Sequence, residues 1–100
     1  INQRGFVMNA ASRTIVQIKP EKMNQVDDFM SSKSGQISNI AGLINWGYIY
    51  TDENEITVIA MYDNKKSAEN ATPLVNTILG DAINLVSAPP VRNIYDARWY

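Results

Sequence analysis

The 100-residue sequence contains no cysteine and no histidine. The first absence excludes disulfides, thiolate catalysis and cysteine-ligated metal. The second removes the commonest metal ligand and the side chain best suited to general-base work near neutral pH. An excess of charge of one sign is missing too: nine basic and ten acidic residues give a formal net charge of −1, with no block of like charge. Tight binding to a phosphate backbone needs a basic footprint, so nucleic acid is not an expected partner. No apolar run approaches the roughly 20 residues of a membrane span, and no basic-then-apolar signal-peptide pattern opens the chain. No membrane partner is expected, and the cytoplasm is the expected compartment. No Ser-His-Asp set, P-loop or dinucleotide glycine pattern exists. Any catalysis must use carboxylates, tyrosines, lysines, backbone groups or the substrate's own reactivity. Metal, haem and flavin are not expected cofactors.

What is present centres on residues 41–62. Leu43 to Tyr50 and Glu55 to Tyr62 are rich in aromatic and β-branched residues, as strands prefer. The polar Thr51-Asp-Glu-Asn54 between them makes the pair a β-hairpin. If Thr51 faces Glu55, one face carries Ile44, Trp46, Tyr48 and Tyr50 beside Ile56, Val58, Ala60 and Tyr62. The other carries Leu43, Asn45, Gly47 and Ile49 beside Thr57, Ile59 and Met61. Neither face is polar throughout, whereas a sheet with one wet side alternates cleanly. Both faces are therefore expected to be covered.

Around the hairpin, Ile1 to Ser12 is weakly patterned, an N-terminal arm or a short strand at Phe6-Val-Met8. Arg13 to Lys19 is β-branched and reads as a strand ended by Pro20. Pro20 suits a helix's first turn, and Met23, Val26, Phe29 and Met30 recur at helical spacing. The spacing predicts a helix over Glu21–Ser32, with a looser turn beyond Ser34-Gly35 and Gly42 as a C-cap. Asp63 or Asn64 can cap a helix from Lys65. Thr72-Pro73 reads as the N-cap and first position of a further segment with Leu74, Val75, Ile78 and Leu79 on its apolar side. Ala88-Pro-Pro90 breaks helix, and Val91 to Tyr100 closes the chain as a strand. The order βαββαβ over residues 1–100 is one ferredoxin-like α+β domain, an antiparallel four-stranded sheet with helices on one face. Two helices cover one face only, and the exposed remainder would exceed what soluble monomers tolerate. A homodimer through the other face is expected; the alternative is the N-terminal arm folding over it.

The Ile18-Lys-Pro-Glu-Lys22 junction, the hairpin followed by Tyr62-Asp-Asn-Lys-Lys-Ser-Ala68, and Leu85-Val-Ser-Ala-Pro-Pro90 resemble the antibiotic-biosynthesis monooxygenase family over about Arg13 to Arg98. The resemblance implies a dimeric α+β barrel with a pocket between sheet and helices. It implies cofactor-free oxygenases acting on aromatic polyketides and quinol-like substrates, alongside a haem-degrading branch. That branch uses an Asn on the first strand, a Trp ending the third strand and a His on the second helix. Counted along this chain, these positions fall on Arg13, Tyr62 and about Thr72. All three are replaced, which argues against haem degradation.

The expected activity is that of a cofactor-independent monooxygenase-like protein acting on an aromatic or quinol-type molecule. Candidate ligand-binding residues are Tyr62, Tyr48 and Arg13 as hydrogen-bonding anchors and Trp46 as a wall around a small apolar or aromatic ligand. The competing reading of the aromatics is ordinary packing, and of Arg13 a solvated strand end. A competing function is a non-enzymatic ligand-binding or regulatory dimer of the same fold. An RNA-binding module of this strand order is disfavoured by Asn45-Trp-Gly-Tyr-Ile-Tyr50 and by the charge. Asp27 and Asp28, adjacent on a helix, point apart and cannot form a carboxylate dyad.

Overall fold

The computed structural model describes residues 8–100. Strand β1 (Asn9–Gln17) leads through a tight 3-10 turn (Pro20–Gln25) into helix α1 (Val26–Ser38). The hairpin of β2 (Leu43–Asp52) and β3 (Glu55–Tyr62) follows, then α2 (Lys65–Asn70), α3 (Thr72–Asp81) and β4 (Val91–Ala97). The strands form one sheet in the order β2-β3-β1-β4, every neighbouring pair antiparallel. This is the expected α+β ferredoxin-like arrangement, with β1 and β3 at the centre.

Period-two alternation is cleanest on β1. Ala10, Ser12, Thr14 and Val16 are buried, while the residues between them are half-buried or exposed. Their face meets the helices and supports two cores. One joins Val16, Ile18 and Ile56 to Val26 and Met30 of α1, with Ala82 and Val86 behind α3. The other joins Ala10, Ala60 and Tyr62 to Ala68 and Ala71 at the junction of α2 and α3.

Several boundaries differ from those the sequence suggests. β1 starts at Asn9, not Arg13. Asn9-Ala-Ala-Ser12 has little strand propensity, but it is paired on both sides, Ala10 with Tyr62 and with Asp96, and the sheet overrides local preference. Of the expected short strand at Phe6–Met8, Phe6 and Val7 lie outside the described residues, and Met8 precedes β1. α1 runs through Gly35 rather than stopping before it: a side chain at Gly35 would meet nothing. The propensity cost of glycine, about 1 kcal/mol, is outweighed by burial of Ile37 one half-turn on. Gly42 does take a positive φ, +82°. It follows Asn39, the residue that caps the helix, and leads into β2.

The hairpin pairs Asp52 with Glu55, not Thr51 with Glu55. Thr51 is an extra residue in a bulge, its hydroxyl 2.9 Å from that of Thr57 and 3.1 Å from Glu55. From Tyr50–Ile56 to Asn45–Met61 the pairing is the expected one. A second shift at Ile44 then pairs Leu43 with Tyr62. Leu43 therefore packs on the second core, and Ile44 turns out to solvent, reversing their expected faces.

Asn64 caps α2, its Oδ1 accepting the Ser67 N–H at 2.9 Å. Ala71, not Thr72, is the N-cap of α3, which places Pro73 at its second position, where no N–H is needed. The last strand ends at Ala97 rather than Tyr100. Beyond it the Trp99 N–H donates to Asn9 Oδ1 and its indole N–H to the Tyr62 carbonyl. Asn9 Nδ2 donates in turn to the Asp63 carbonyl, which ties the chain's end to both central strands. Among the described residues no helix is long and apolar enough to cross a membrane.

Candidate functional site

The strand register fixes what the helix-facing side of the sheet offers. Reading across it from β2 to β4, one row is Trp46, Ala60, Ser12 and Ile94, and the next is Tyr48, Val58, Thr14 and Arg92. Both rows carry small residues on the two central strands and large ones on the edge strands. The helices rest on the first core at one end and on the second core at the other. The low middle of the sheet between them is left unfilled.

A cavity of about 80 Å³ results, several times the roughly 10–15 Å³ that one water needs. Its floor is Ser12, Thr14, Val58 and Ala60; Trp46 and Tyr62 close it on the hairpin side. Its roof is Phe29, Met30 and Ile37 from α1 with Val75, Ile78 and Leu79 from α3. The lining is almost wholly apolar, with a few polar atoms, as small-molecule pockets usually are.

Tyr62 is 1% exposed and belongs both to the second core and to the cavity wall. Trp46 is half-buried and lines the cavity from the edge strand. The other two residues expected to line it do not. Arg13 lies on the opposite face of the sheet, where its guanidinium donates to the Tyr95 hydroxyl at 2.9 Å and stacks over that ring. Strand alternation sends Ser12 and Thr14 inward and Arg13 outward.

Tyr48 faces the helices but its hydroxyl is turned aside to Asp27 Oδ1, which also accepts from Tyr50 at 2.7 Å. The Tyr48 bond, and then the Tyr50 bond, hold the Asp27 carboxyl below the usual carboxylate value. Sharing its proton with Asp27 and, to a lesser degree, partial burial push Tyr48 up to about 12. Tyr50 is raised as well, first by the same carboxylate. The trio clasps α1 to the outer part of the hairpin, apart from the cavity. It uses Asp27 alone, in keeping with the separate directions of Asp27 and Asp28.

One cavity residue carries no mark in the sequence. Arg92 lines the cavity opposite Thr14. Its guanidinium donates to Thr72 Oγ1 at 2.7 Å and to the Ala68 carbonyl at 3.0 Å. Its Nε is buried and has no hydrogen-bond partner among the described residues. The available signal is period two counted from Val91, but its phase is unknowable without the pairing to β1.

The class defined by this sheet and its helical roof is the ferredoxin-like α+β fold with a pocket between its two layers. Solved structures narrow it to the fold of antibiotic-biosynthesis monooxygenase proteins. A protein of unknown function from Nitrosomonas europaea, NE2512, superposes with a TM-score of 0.79 at 14% identity, covering 94% of this chain and 93% of that one. A candidate antibiotic biosynthesis monooxygenase from the same organism gives 0.77 at 12% identity, with 93% of each chain covered. A mutant form of SnoaB, a cofactor-independent oxygenase from Streptomyces nogalater, gives 0.71 at 10% identity over 94% of this chain and 97% of that one. At such identities the likeness is one of fold. No model of a known protein family matches the sequence, and no curated protein matches it either.

Proposed function

We propose that the protein is a cofactor-independent oxygenase of small aromatic or quinol-type molecules, held in the cavity between sheet and helices. The observation that carries the reading is the apolar cavity itself, walled by Trp46 and Tyr62, in a fold shared with a cofactor-independent oxygenase. In this chemistry a ring CH₂ loses a carbon proton, or a quinol its O–H proton, and the resulting enolate or phenolate gives its electrons to dioxygen. One oxygen atom stays on the ring carbon as a carbonyl or hydroxyl oxygen and the other leaves as water with two hydrogens of the substrate, so no outside reductant is consumed. No carboxylate lines the cavity among the described residues, which fits a substrate acidic enough to lose its proton to solvent. The protein supplies orientation and a dry surrounding.

We also propose a homodimer through the sheet's open face. Ile49, Val91 and Tyr95 stand there 56, 54 and 43% exposed. Arg13 already leans on Tyr95, and a net charge of −1 scarcely opposes self-association. Sheet-on-sheet twofold pairing would bury at least roughly 1,200 Å² in a stable dimer; a monomer at micromolar concentration in sedimentation equilibrium would refute it.

Dioxygen uptake with a panel of anthrones and quinols tests the oxygenase reading. Turnover that falls in Trp46→Ala supports it. Saturable binding of the same compounds without oxygen consumption would instead support a non-enzymatic ligand-binding or regulatory dimer, the second reading that the same cavity permits.

A further inference from the structure

We propose that Arg92 is an anion-binding residue of the cavity, so that the molecule the cavity takes is an apolar, ring-containing compound bearing a carboxylate or a comparable anionic oxygen. The proposal rests on the cavity being a ligand site and adds the charge of its occupant.

A guanidinium has five N–H donors in a fixed fork. Two interactions hold Arg92, and both acceptors are neutral: the Thr72 hydroxyl and the Ala68 carbonyl. Every acidic side chain of the 100-residue sequence lies among the described residues, since residues 1–7 include none. Yet the only ion pair among the described residues is Lys33 with Asp81, on the outer surface. Arg92 is thus a half-buried cation without a counter-charge, and its Nε has been withdrawn from water without receiving a partner. Buried polar atoms are nearly always satisfied, and buried charges nearly always paired.

The surroundings make the missing partner a ligand group. Arg92 stands beside Thr14 at one end of a floor otherwise made of Ser12, Val58 and Ala60. An anion there is attracted through apolar protein rather than through water, where the same charge would count for far less. Thr72 and Ala68 sit at the α2–α3 junction and fix the fork in advance, which lowers the ordering cost of binding. A purely structural role is the competing explanation: the same two bonds staple β4 to that junction. The two roles differ in what they ask of a ligand, because a staple is indifferent to a ligand's charge.

The experiment is calorimetric titration of the full chain with 2-naphthoate and with its neutral counterpart 2-naphthamide. The wild type should prefer the carboxylate by at least about tenfold, as a charge-assisted bond to a guanidinium implies. Arg92→Gln should bind the two alike while keeping its affinity for the amide. Arg92→Lys, which keeps the charge but not the fork, should show a reduced preference and serves if the Gln variant does not fold. Equal wild-type binding of both compounds would overturn the role of Arg92 and leave the cavity as a ligand site. Binding of neither would overturn both. A lowered melting temperature with the carboxylate preference unchanged in either variant would make Arg92 a staple only.

Discussion

Truncating Tyr62 separates the roles of its ring and its hydroxyl. The ring is 1% exposed and its buried neighbours are Ala10, Ala60, Ala68 and Ala71. Those four methyl groups sit on β1, β3 and the α2–α3 junction and are too short to reach into a void, while the larger Ile40, Leu43, Trp46, Val75 and Ile94 pack against the cluster from partly buried positions. Tyr62→Ala therefore leaves most of its cavity open, and the cost should fall at about 3–5 kcal/mol, the range of large aromatic truncations that relax little. For a domain of this size each kcal/mol lowers Tm by roughly 4–8 °C. Tyr62→Phe keeps the packing and gives up at most one hydrogen bond, about 1 kcal/mol or less. Thermal and urea unfolding of both variants provide the measurement. A Tyr62→Ala loss below about 1 kcal/mol would show that the alanine cluster closes around the gap, and the rigid-wall argument would fail. A Tyr62→Phe loss matching that of Tyr62→Ala would place the hydroxyl in a structural network rather than at the cavity.

Two glycines should respond in opposite directions. Gly35→Ala, in open space within α1, should gain about 0.5–1 kcal/mol. Gly42→Ala should lose at least about 2 kcal/mol, because φ is +82° and the new Cβ would lie 2.3 Å from Ser67 Oγ. Unfolding curves decide both, and a neutral Gly42→Ala would refute the close approach of β2 to α2. Asn64→Ala should cost about 1 kcal/mol through loss of the α2 cap; no change would mean that the cap contributes nothing. Alkaline titration of tyrosinate absorbance should show one tyrosine ionising near pH 12, which returns toward 10 in Asp27→Asn. Because the folded form holds that proton more tightly, the Tyr48 contribution to stability is complete below pH 10 and is lost as pH rises through about 12. The Asp27 contribution runs the other way, present above the ordinary carboxylate value of 3.8 and lost as pH falls through its lowered folded value. A wild-type titration indistinguishable from that of Asp27→Asn would dissolve the trio.

The parts legible in the sequence are those in which one strong local pattern decides. The hairpin register from Asn45 to Tyr50 follows from two β-rich runs and a short polar turn, and both sets of facing residues can be read before any contact is known. The two bulges cannot, because Thr51 and Ile44 break the alternation without any glycine to mark it. The start of β1 is hidden for a related reason. Asn9-Ala-Ala-Ser12 owes its strand state to neighbours distant in sequence, Tyr62 and Asp96 among them. Gly35 looks like a break because propensity is local, whereas burial of Ile37 is not.

The site is harder to read than the fold because its defining feature is a lack of bulk. Large residues announce a core, and Trp46 and Tyr62 stand out on that ground. A cavity floor of Ser12, Thr14, Val58 and Ala60 announces nothing until β1 and β3 are in register and the small residues fall side by side. The two arginines show how sharply phase matters. Arg13 and Arg92 both lie on strands, and the sequence favours Arg13; yet β1 carries Ser12 and Thr14 on its inner face, and Arg92 is paired with Thr14. A shift of one residue exchanges the two faces completely. The cation that meets the cavity is therefore set by the β1–β4 pairing alone, between strands at opposite ends of the chain. Local pattern could propose that an arginine faces the cavity; only the sheet shows which one does.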